Sequence, residues 1–330
     1  MTEQRQLTYA AAFREGVQEE MERDERVFVL GTDLVERGGH FAQVHGLGAV
    51  FGTDRIRDTP ISEAAMVAAG VGAAMYGMRP LVDLNFMEFS FGAMDEIVNQ
   101  AAKMRYMFGR PVPVVIRGTS GVALSGAQHN NTLEMMFAQI PGLAVAVPST
   151  PADAKGLIKT ALRSEDPVIF MMHKRLSGVK GPVPDGEHLL PFGELAVVRE
   201  GGDCTVVAYG ANVMRAQRAA QELAGEGVEV ELLDLRTLWP LDAEAIVASV
   251  QKTGRAVVLD EAGAFGSIAS EVAALLQERL FGRLQAPVQR VCGARAPVPF
   301  SPPLIEANLP QPPAIADAVR RTLGVAAAAG

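Results

Sequence analysis

Cysteine is almost missing: Cys204 and Cys292 are the two in 330 residues, far apart and in no metal-ligand spacing. A disulfide framework and a cysteine-based metal site are therefore excluded, and a reducing compartment is expected. No apolar run approaches the ~18 residues that span a bilayer. The start, Met1-Thr2-Glu3-Gln4-Arg5, lacks the basic-then-apolar order of a secretory signal. These features predict a cytoplasmic protein with no membrane partner. Positive charge is scarce too, with 30 Lys and Arg against 38 Asp and Glu and a net charge of −8. One tryptophan and 14 phenylalanines are available for base stacking. The phenylalanines are not interleaved with basic residues, so no nucleic-acid partner is expected. Hydrophobic residues at 48% and charged residues at 21% exclude disorder, collagen and coiled coil. No Gly-x-Gly-x-x-Gly opens a helix after a strand, and no Walker loop, Gly-x-Ser-x-Gly elbow or His-Glu-x-x-His pair occurs. His40 and His45 are five apart, off a common helical face, and make no metal pair.

What is present reads as α/β architecture in two domains. Continuous apolar runs, the pattern of buried parallel strands, fall at 27–31, 80–86, 112–117, 143–147 and 167–171, then at 205–209, 228–235, 255–260 and 287–292. Helix-period segments lie between them at 9–23, 63–76, 92–107, 132–139 and 151–163, then at 212–224, 243–251, 267–281 and 314–323. Ser62 is positioned to cap the second of these helices, with Glu63 in its first turn. Thr150-Pro151 and Asp242 open two others. The stretch 174–193, with three prolines and four glycines, is the expected interdomain linker. The seven prolines of 297–313 predict an extended surface segment. The tail at 325–330 is expected to fray.

Two segments carry candidate chemistry. In 58–77 a turn delivers Glu63 to the mouth of a helix made largely of Ala, Gly and Val. That acid either complements the helix dipole or exchanges a proton with a ligand. In 121–137 a glycine-containing loop places His129 just before a short helix, as a backbone-bonded loop histidine or as an acid/base. Phe86, Phe89 and Phe91 follow a strand end, where α/β proteins bind ligands, and suit either core or a cofactor platform.

At these residues the chain resembles the β-subunit of the thiamine-diphosphate-dependent decarboxylating component of 2-oxo acid dehydrogenase complexes. The resemblance runs over nearly the whole chain. Its markers include Arg57-Asp-Thr-Pro-Ile-Ser-Glu63, Gly77-Met-Arg-Pro80, Ala127-Gln-His129, Pro148-Ser-Thr-Pro-Ala-Asp-Ala-Lys-Gly156, Asp234-Leu-Arg-Thr-Leu238 and Pro240-Leu-Asp242. The run Ala102-Lys-Met-Arg-Tyr-Met-Phe-Gly109 looks most like bacterial acetoin and pyruvate members. The resemblance implies a doubly wound, pyrimidine-binding α/β domain at 1–180, a linker at 181–193 and a transketolase C-terminal-like α/β domain at 194–330. It implies an oxidoreductase that cleaves a 2-oxo acid such as pyruvate, or acetoin, with acyl transfer to lipoamide. Glu63 matches the carboxylate that hydrogen-bonds a ring nitrogen of the thiamine aminopyrimidine. Protonation there favours the imino tautomer that takes the thiazolium proton. His129 matches a histidine that assists proton transfer, Ile61 and Phe89 match positions flanking the aminopyrimidine, and Asn85 faces the site. Backbone carbonyls at Val114, Ala161, Leu162, Ser164 and Asp166 match a potassium ring of some relatives, against an ordinary helix-to-strand turn.

The chain departs from that pattern at Thr32, where a carboxylate is common, at Arg37, where an aromatic is common, and at His40, where a small residue is usual. The common His-Ser-Gln-Ser reads His129-Asn-Asn-Thr132 here. Arg37 and His40 either add positive charge beside an anionic substrate or are solvated loop residues. The Gly-Asp-Gly and downstream Asn that hold magnesium and diphosphate are absent, so no magnesium ligands are expected in this chain. The resemblance assigns them to an α-subunit in an α₂β₂ heterotetramer that docks on a lipoyl acyltransferase core. A two-chain, transketolase-like ketol transferase and a non-catalytic structural subunit are the alternatives.

Overall fold

In the computed structural model, which describes residues 5–325, the chain folds into two compact units. The first comprises the chain up to Ser120 with Met136–Phe192, and the second comprises Gly121–Met135 with the chain from Gly193 onward. Residues 326–330 of the expected frayed tail lie outside the described residues.

The first unit is built on a parallel sheet. Its strands run in the order Ala144–Ala146, Val168–His173, Val115–Ser120, Arg79–Phe86, Val27–Gly31 and Ile56–Asp58. The apolar runs were legible because strands covered on both faces have no polar face to alternate with. Val27, Val29, Leu81, Val82, Ile116, Val168 and Ile169 are all buried. The short strand Ile56–Asp58 was not foreseen, since three residues carry no pattern.

The helices Tyr9–Arg23 and Pro151–Arg163 pack face to face. A Cβ on Gly16 would meet Ile158 Cγ2 at 2.7 Å, so the approach requires glycine. Charged groups line the same contact. Lys155 Nζ, fully buried, sits 2.7 Å from Glu15 and 2.8 Å from Glu19. Glu20, also fully buried, takes Arg163 at 2.6 Å and Arg23 at 2.7 Å. Burial works to raise the Glu20 carboxyl, but Arg163 and Arg23 hold it below its ordinary range. Thr150 and Asp153 form a reciprocal capping box, with Pro151 at the first helical position.

Three expectations fail here. The continuous helix over 92–107 is a 3₁₀ turn at Met87–Ala93, a π segment at Glu96–Ala101 and a short helix at Met104–Phe108. The break coincides with a close pass of distant chain. A Cβ on Gly142, which has φ +100°, would meet Ala102 O at 2.0 Å, and Lys103 Nζ donates to Pro141 O at 3.0 Å. Ser62 makes no side-chain bond to the helix Glu63–Met75. The stretch 174–193 is not merely a linker: it holds a 3₁₀ turn and the strand Lys180–Pro182, paired with Gln6–Thr8.

The second unit has strands in the order Gln289–Gly293, Ala256–Gly263, Cys204–Ala208, Val230–Asp234 and Ala196–Arg199, the last antiparallel. Its core gathers Val206, Leu223, Leu232, Val257, Leu259 and Val319. Asp242 accepts from Ala245 N, and Lys252 lies in the last turn of that helix, as the sequence predicts. Burial raises the Cys204 and Cys292 thiols to about 11, so neither is a nucleophile at neutral pH. The proline-rich 297–313 is not extended throughout. Helices start at Pro302 and Pro312, where proline occupies a first-turn position whose N–H needs no helical partner.

Candidate functional site

In the first unit, three adjacent strands end at the same edge. Gly31 stands in register with Asp58 on one side and Asp83 on the other. The chain after Asp58 is tied back by Thr59 N–H to Gly31 O at 2.8 Å. It then presents Ile61, 79% exposed, and enters the helix Glu63–Met75. Glu63 is half-buried, and its carboxylate makes no hydrogen bond or ion pair to another described residue. The small residues of this helix serve close packing. A Cβ on Gly70 would stand 2.5 Å from Val82 Cγ2, and the helix also packs on the Met87–Ala93 turn. That turn carries Phe89, half-buried, with its ring 5.6 Å from Phe86.

Asn85 closes the neighbouring strand with left-handed backbone, φ +63°. Asn tolerates that region because its short polar side chain bonds locally. Here its N–H donates to Asp83 Oδ1 at 2.8 Å and its carbonyl accepts from Thr119 Oγ1 at 2.9 Å. Its Oδ1 accepts the His40 N–H at 3.3 Å. Beneath it, the buried Asp83 carboxylate takes Arg117 at 3.0 and 3.3 Å and the Gln43 amide. Ile61, Glu63, Asn85 and Phe89 thus lie on the carboxyl edge of one sheet, the customary ligand edge of an open α/β sheet. An unpaired, half-buried carboxylate at a helix start fits the ring nitrogen of an aminopyrimidine. Arg37 is a solvated residue, 77% exposed and 3.5 Å from Asp33. A cavity of about 520 Å³ in this unit is lined by Asp33, Arg37, Asp54, Arg57 and Asp58, away from Glu63 and Phe89.

His129 belongs to the second unit. It is half-buried at the end of the 3₁₀ turn Ala127–His129, with its N–H on Gly126 O at 3.3 Å. The following Asn130 fixes the loop. Its Oδ1 accepts from Ala123 N, and its Nδ2 donates to Ala123 O and Gly126 O, each at 2.8 Å. The Asn at this departure from the family pattern is a loop clamp. The same loop borders a cavity of about 470 Å³ lined by Asn130, Thr132, Glu261, Phe265, Arg295 and Asn308. Glu261 is held there by Val122 N–H at 2.8 Å and Arg215 at 2.6 Å.

The five carbonyls of the expected potassium ring lie at the opposite, amino edge of the first sheet. Arg79, 8% exposed, donates to Leu162 O at 3.1 Å and Ser164 O at 2.9 Å. Ala161 O accepts Ser164 N–H, Asp166 O accepts Ser164 Oγ, and Val114 O accepts Val168 N–H. Each carbonyl has a protein donor, and a potassium ion would share two of them with a buried guanidinium.

Sequence reasoning missed the Gln43–Asp83–Arg117 network and the His40–Asn85 tie. Both join residues at least 34 positions apart that carry no local pattern.

Residues 5–179 match the family model for the transketolase pyrimidine binding domain, and residues 193–315 match the transketolase C-terminal domain. The chain is 45% identical to the β subunit of acetoin:2,6-dichlorophenolindophenol oxidoreductase of Cupriavidus necator, over 97% of this chain and 98% of that one. It is 43% identical to the β subunit of 2-oxoisovalerate dehydrogenase of Bacillus subtilis, over 95% and 98%. Among solved structures, a split-gene transketolase described as an inactive β4 tetramer superimposes with TM-score 0.79 at 24% identity, over 97% and 99%.

Proposed function

The chain belongs to the β subunits of the thiamine-diphosphate-dependent 2-oxo acid and acetoin dehydrogenases, oxidoreductases built from transketolase-type domains, and from that premise we propose that it supplies the pyrimidine half of an active site completed by an α-subunit. The observation that carries the reading is Glu63, a half-buried carboxylate at the ligand edge of the sheet with no partner among the described residues. Thiamine diphosphate, when bound, supplies a nucleophilic carbon and an electron sink for cleaving the bond beside the substrate carbonyl. Glu63 holds the proton at the aminopyrimidine nitrogen, Ile61 and Phe89 flank that ring, and Asn85 lines the edge. His129 moves a proton during acyl transfer to lipoamide. Residues 1–180 form the cofactor domain, 181–193 the connection and 194–330 an assembly domain. The α-subunit holds magnesium and the diphosphate in an α₂β₂ heterotetramer. That heterotetramer works in the cytoplasm and passes its acyl group to a lipoyl acyltransferase core.

Co-expression with the α-subunit, followed by assay of 2-oxo acids and acetoin with 2,6-dichlorophenolindophenol as acceptor, tests this. Turnover dependent on added thiamine diphosphate and reduced about 10³-fold by Glu63→Gln is expected. An unchanged rate in the Glu63→Gln complex would overturn the assignment. Turnover only with a ketose donor and sugar acceptor would move the chain to the ketol transferases.

A further inference from the structure

The segment between Gly31 and Ile56 buries Leu34, Val44 and Leu47, and between those anchors its backbone is held in costly conformations. Ala42 has φ +53°, and Gly38, Gly39 and Gly46 have φ +73°, +84° and +82°. A Cβ on Gly38 would lie 2.3 Å from His45 Cα, and one on Gly39 would lie 2.2 Å from Gln43 Nε2. Left-handed backbone at a non-glycine residue persists only where its surroundings over-determine it, and such residues gather at ligand sites. Here the loop is anchored from below by Gln43, whose Oε1 accepts Phe41 N–H at 2.9 Å and whose amide reaches the buried Asp83.

The side chain this loop presents at the site is His40. It is exposed, and its ring centroid lies 4.7 Å from Phe41 and 4.9 Å from Phe86. Its backbone N–H donates to Asn85 Oδ1, on the ligand edge, which leaves the imidazole nitrogens out of that bond. Phe86 in turn carries Phe89 at 5.6 Å and the Lys174 ammonium at 5.4 Å from its ring centroid. Lys174 and Arg117 are buried, at 2% and 1% side-chain exposure, and face Glu88 at 3.9 Å and Asp83 at 3.0 Å. His40 is therefore an exposed donor on an aromatic floor, with buried cations behind that floor already facing carboxylates. This suits a small ligand with an apolar body and one anionic end.

We propose that His40 is a specificity residue that donates a ring N–H to the carboxylate of a 2-oxo acid, which makes 2-oxo acids rather than a neutral acyloin the preferred substrates. The inference rests on the functional reading above and names its substrate class. A hydrogen bond to a charged group is markedly stronger than one to a neutral group, so loss of the donor penalises the anionic substrate class far more than the neutral one.

The test uses the reconstituted heteromeric complex with His40→Phe, which keeps the aromatic contact without the donor, and His40→Ala. KM for pyruvate and 3-methyl-2-oxobutanoate is expected to rise at least tenfold with kcat nearly kept, while KM for acetoin changes less than twofold. Calorimetric binding of methyl acetylphosphonate, an anionic pyruvate isostere, is expected to weaken by a similar factor. If wild type does not turn over acetoin, unchanged thiamine diphosphate affinity in the variants serves as the reference for an intact site. Equal KM shifts for both substrate classes, no shift at all, or a wild type that accepts only acetoin overturns the proposal. Absence of thiamine-dependent turnover with every substrate overturns the functional reading itself.

Discussion

At the carboxyl edge of the first unit's sheet, Asp83-Leu84-Asn85 ends a strand with Asp83 Oδ1 accepting the N–H of a left-handed Asn85. The second unit ends a strand the same way: Asp234-Leu235-Arg236, with Asp234 Oδ1 accepting Arg236 N–H at 3.1 Å and Arg236 at φ +57°. One local device serves both units, an aspartate that folds its own backbone two residues on. What it supports differs. The first unit has two further left-handed non-glycine residues, Asp33 and Ala42, and it also carries Glu63, a carboxylate with no partner among the described residues. Among the described residues of the second unit, Arg236 is the one such residue. The turn geometry is therefore structural in origin, and its clustering with unpaired polar groups is what marks a site.

The sharpest break in that comparison is Glu63→Gln. Positioned proton transfer contributes about 10²–10⁴-fold to rate, so kcat of the complex is expected to fall about 10³-fold while Tm stays within about 2 °C of wild type. A parallel loss of Tm would mean that Glu63 belongs to the fold rather than the chemistry.

The next effect concerns stability. Glu20→Gln removes the buried carboxylate from Arg163 and Lys159, which keep Glu187 and Glu19, so the cost near pH 7 is about 1–2 kcal/mol rather than that of a fully orphaned charge. Because the folded-state pKa of Glu20 is lowered, its contribution is present above the unfolded value and lost as pH falls through the folded one. Urea titrations are therefore expected to show the gap between wild type and variant closing as pH drops below 4.5. In the second unit Asp260 behaves oppositely. It is fully buried beneath Tyr209, which donates to it at 2.7 Å, and burial raises its carboxyl pKa. Its contribution is full below 3.8 and lost as pH rises through the raised value. Asp260→Asn should therefore gain on wild type as pH rises from 4 to 7. A gap that is flat with pH would show that neither carboxylate changes its ionisation on folding.

The two units also differ in how much of them the sequence discloses. The strands Val27–Gly31 and Arg79–Phe86 were readable because burial on both faces writes itself as unbroken Val, Leu and Ile. Glu63 and His129 stand out in the sequence through the motifs that hold them. The helix over 92–107 was misread because the chain at Gly142 presses on Ala102, a contact 40 residues distant that no local propensity records. Ala42 and Asn85 look ordinary in sequence, and their left-handed backbone follows from the Asp83 network below them. His40 was visible as a departure, but its place depends on Asn85 and Phe86, which only the fold brings beside it.

The smallest effect separates the shared turn from the site it supports. Glycine takes left-handed backbone without the Cβ penalty of about 1–2 kcal/mol, partly offset by its greater freedom when unfolded. Arg236→Gly relieves that backbone at the cost of a half-buried side chain, so it is expected to change stability by no more than about 1 kcal/mol and leave turnover unchanged. Asn85→Gly relieves the same backbone but removes the oxygen that holds the His40 N–H. With that tether gone, the imidazole loses its fixed direction over Phe86. KM for 2-oxo acids should rise about threefold, a smaller change than loss of the ring itself, because the Phe41 and Phe86 contacts persist. Steady-state kinetics on the two glycine variants, beside their urea midpoints, makes the measurement. A matching KM change in Arg236→Gly would erase the distinction between the two turns, and its absence would place the function of this device in the Asn85 side chain alone.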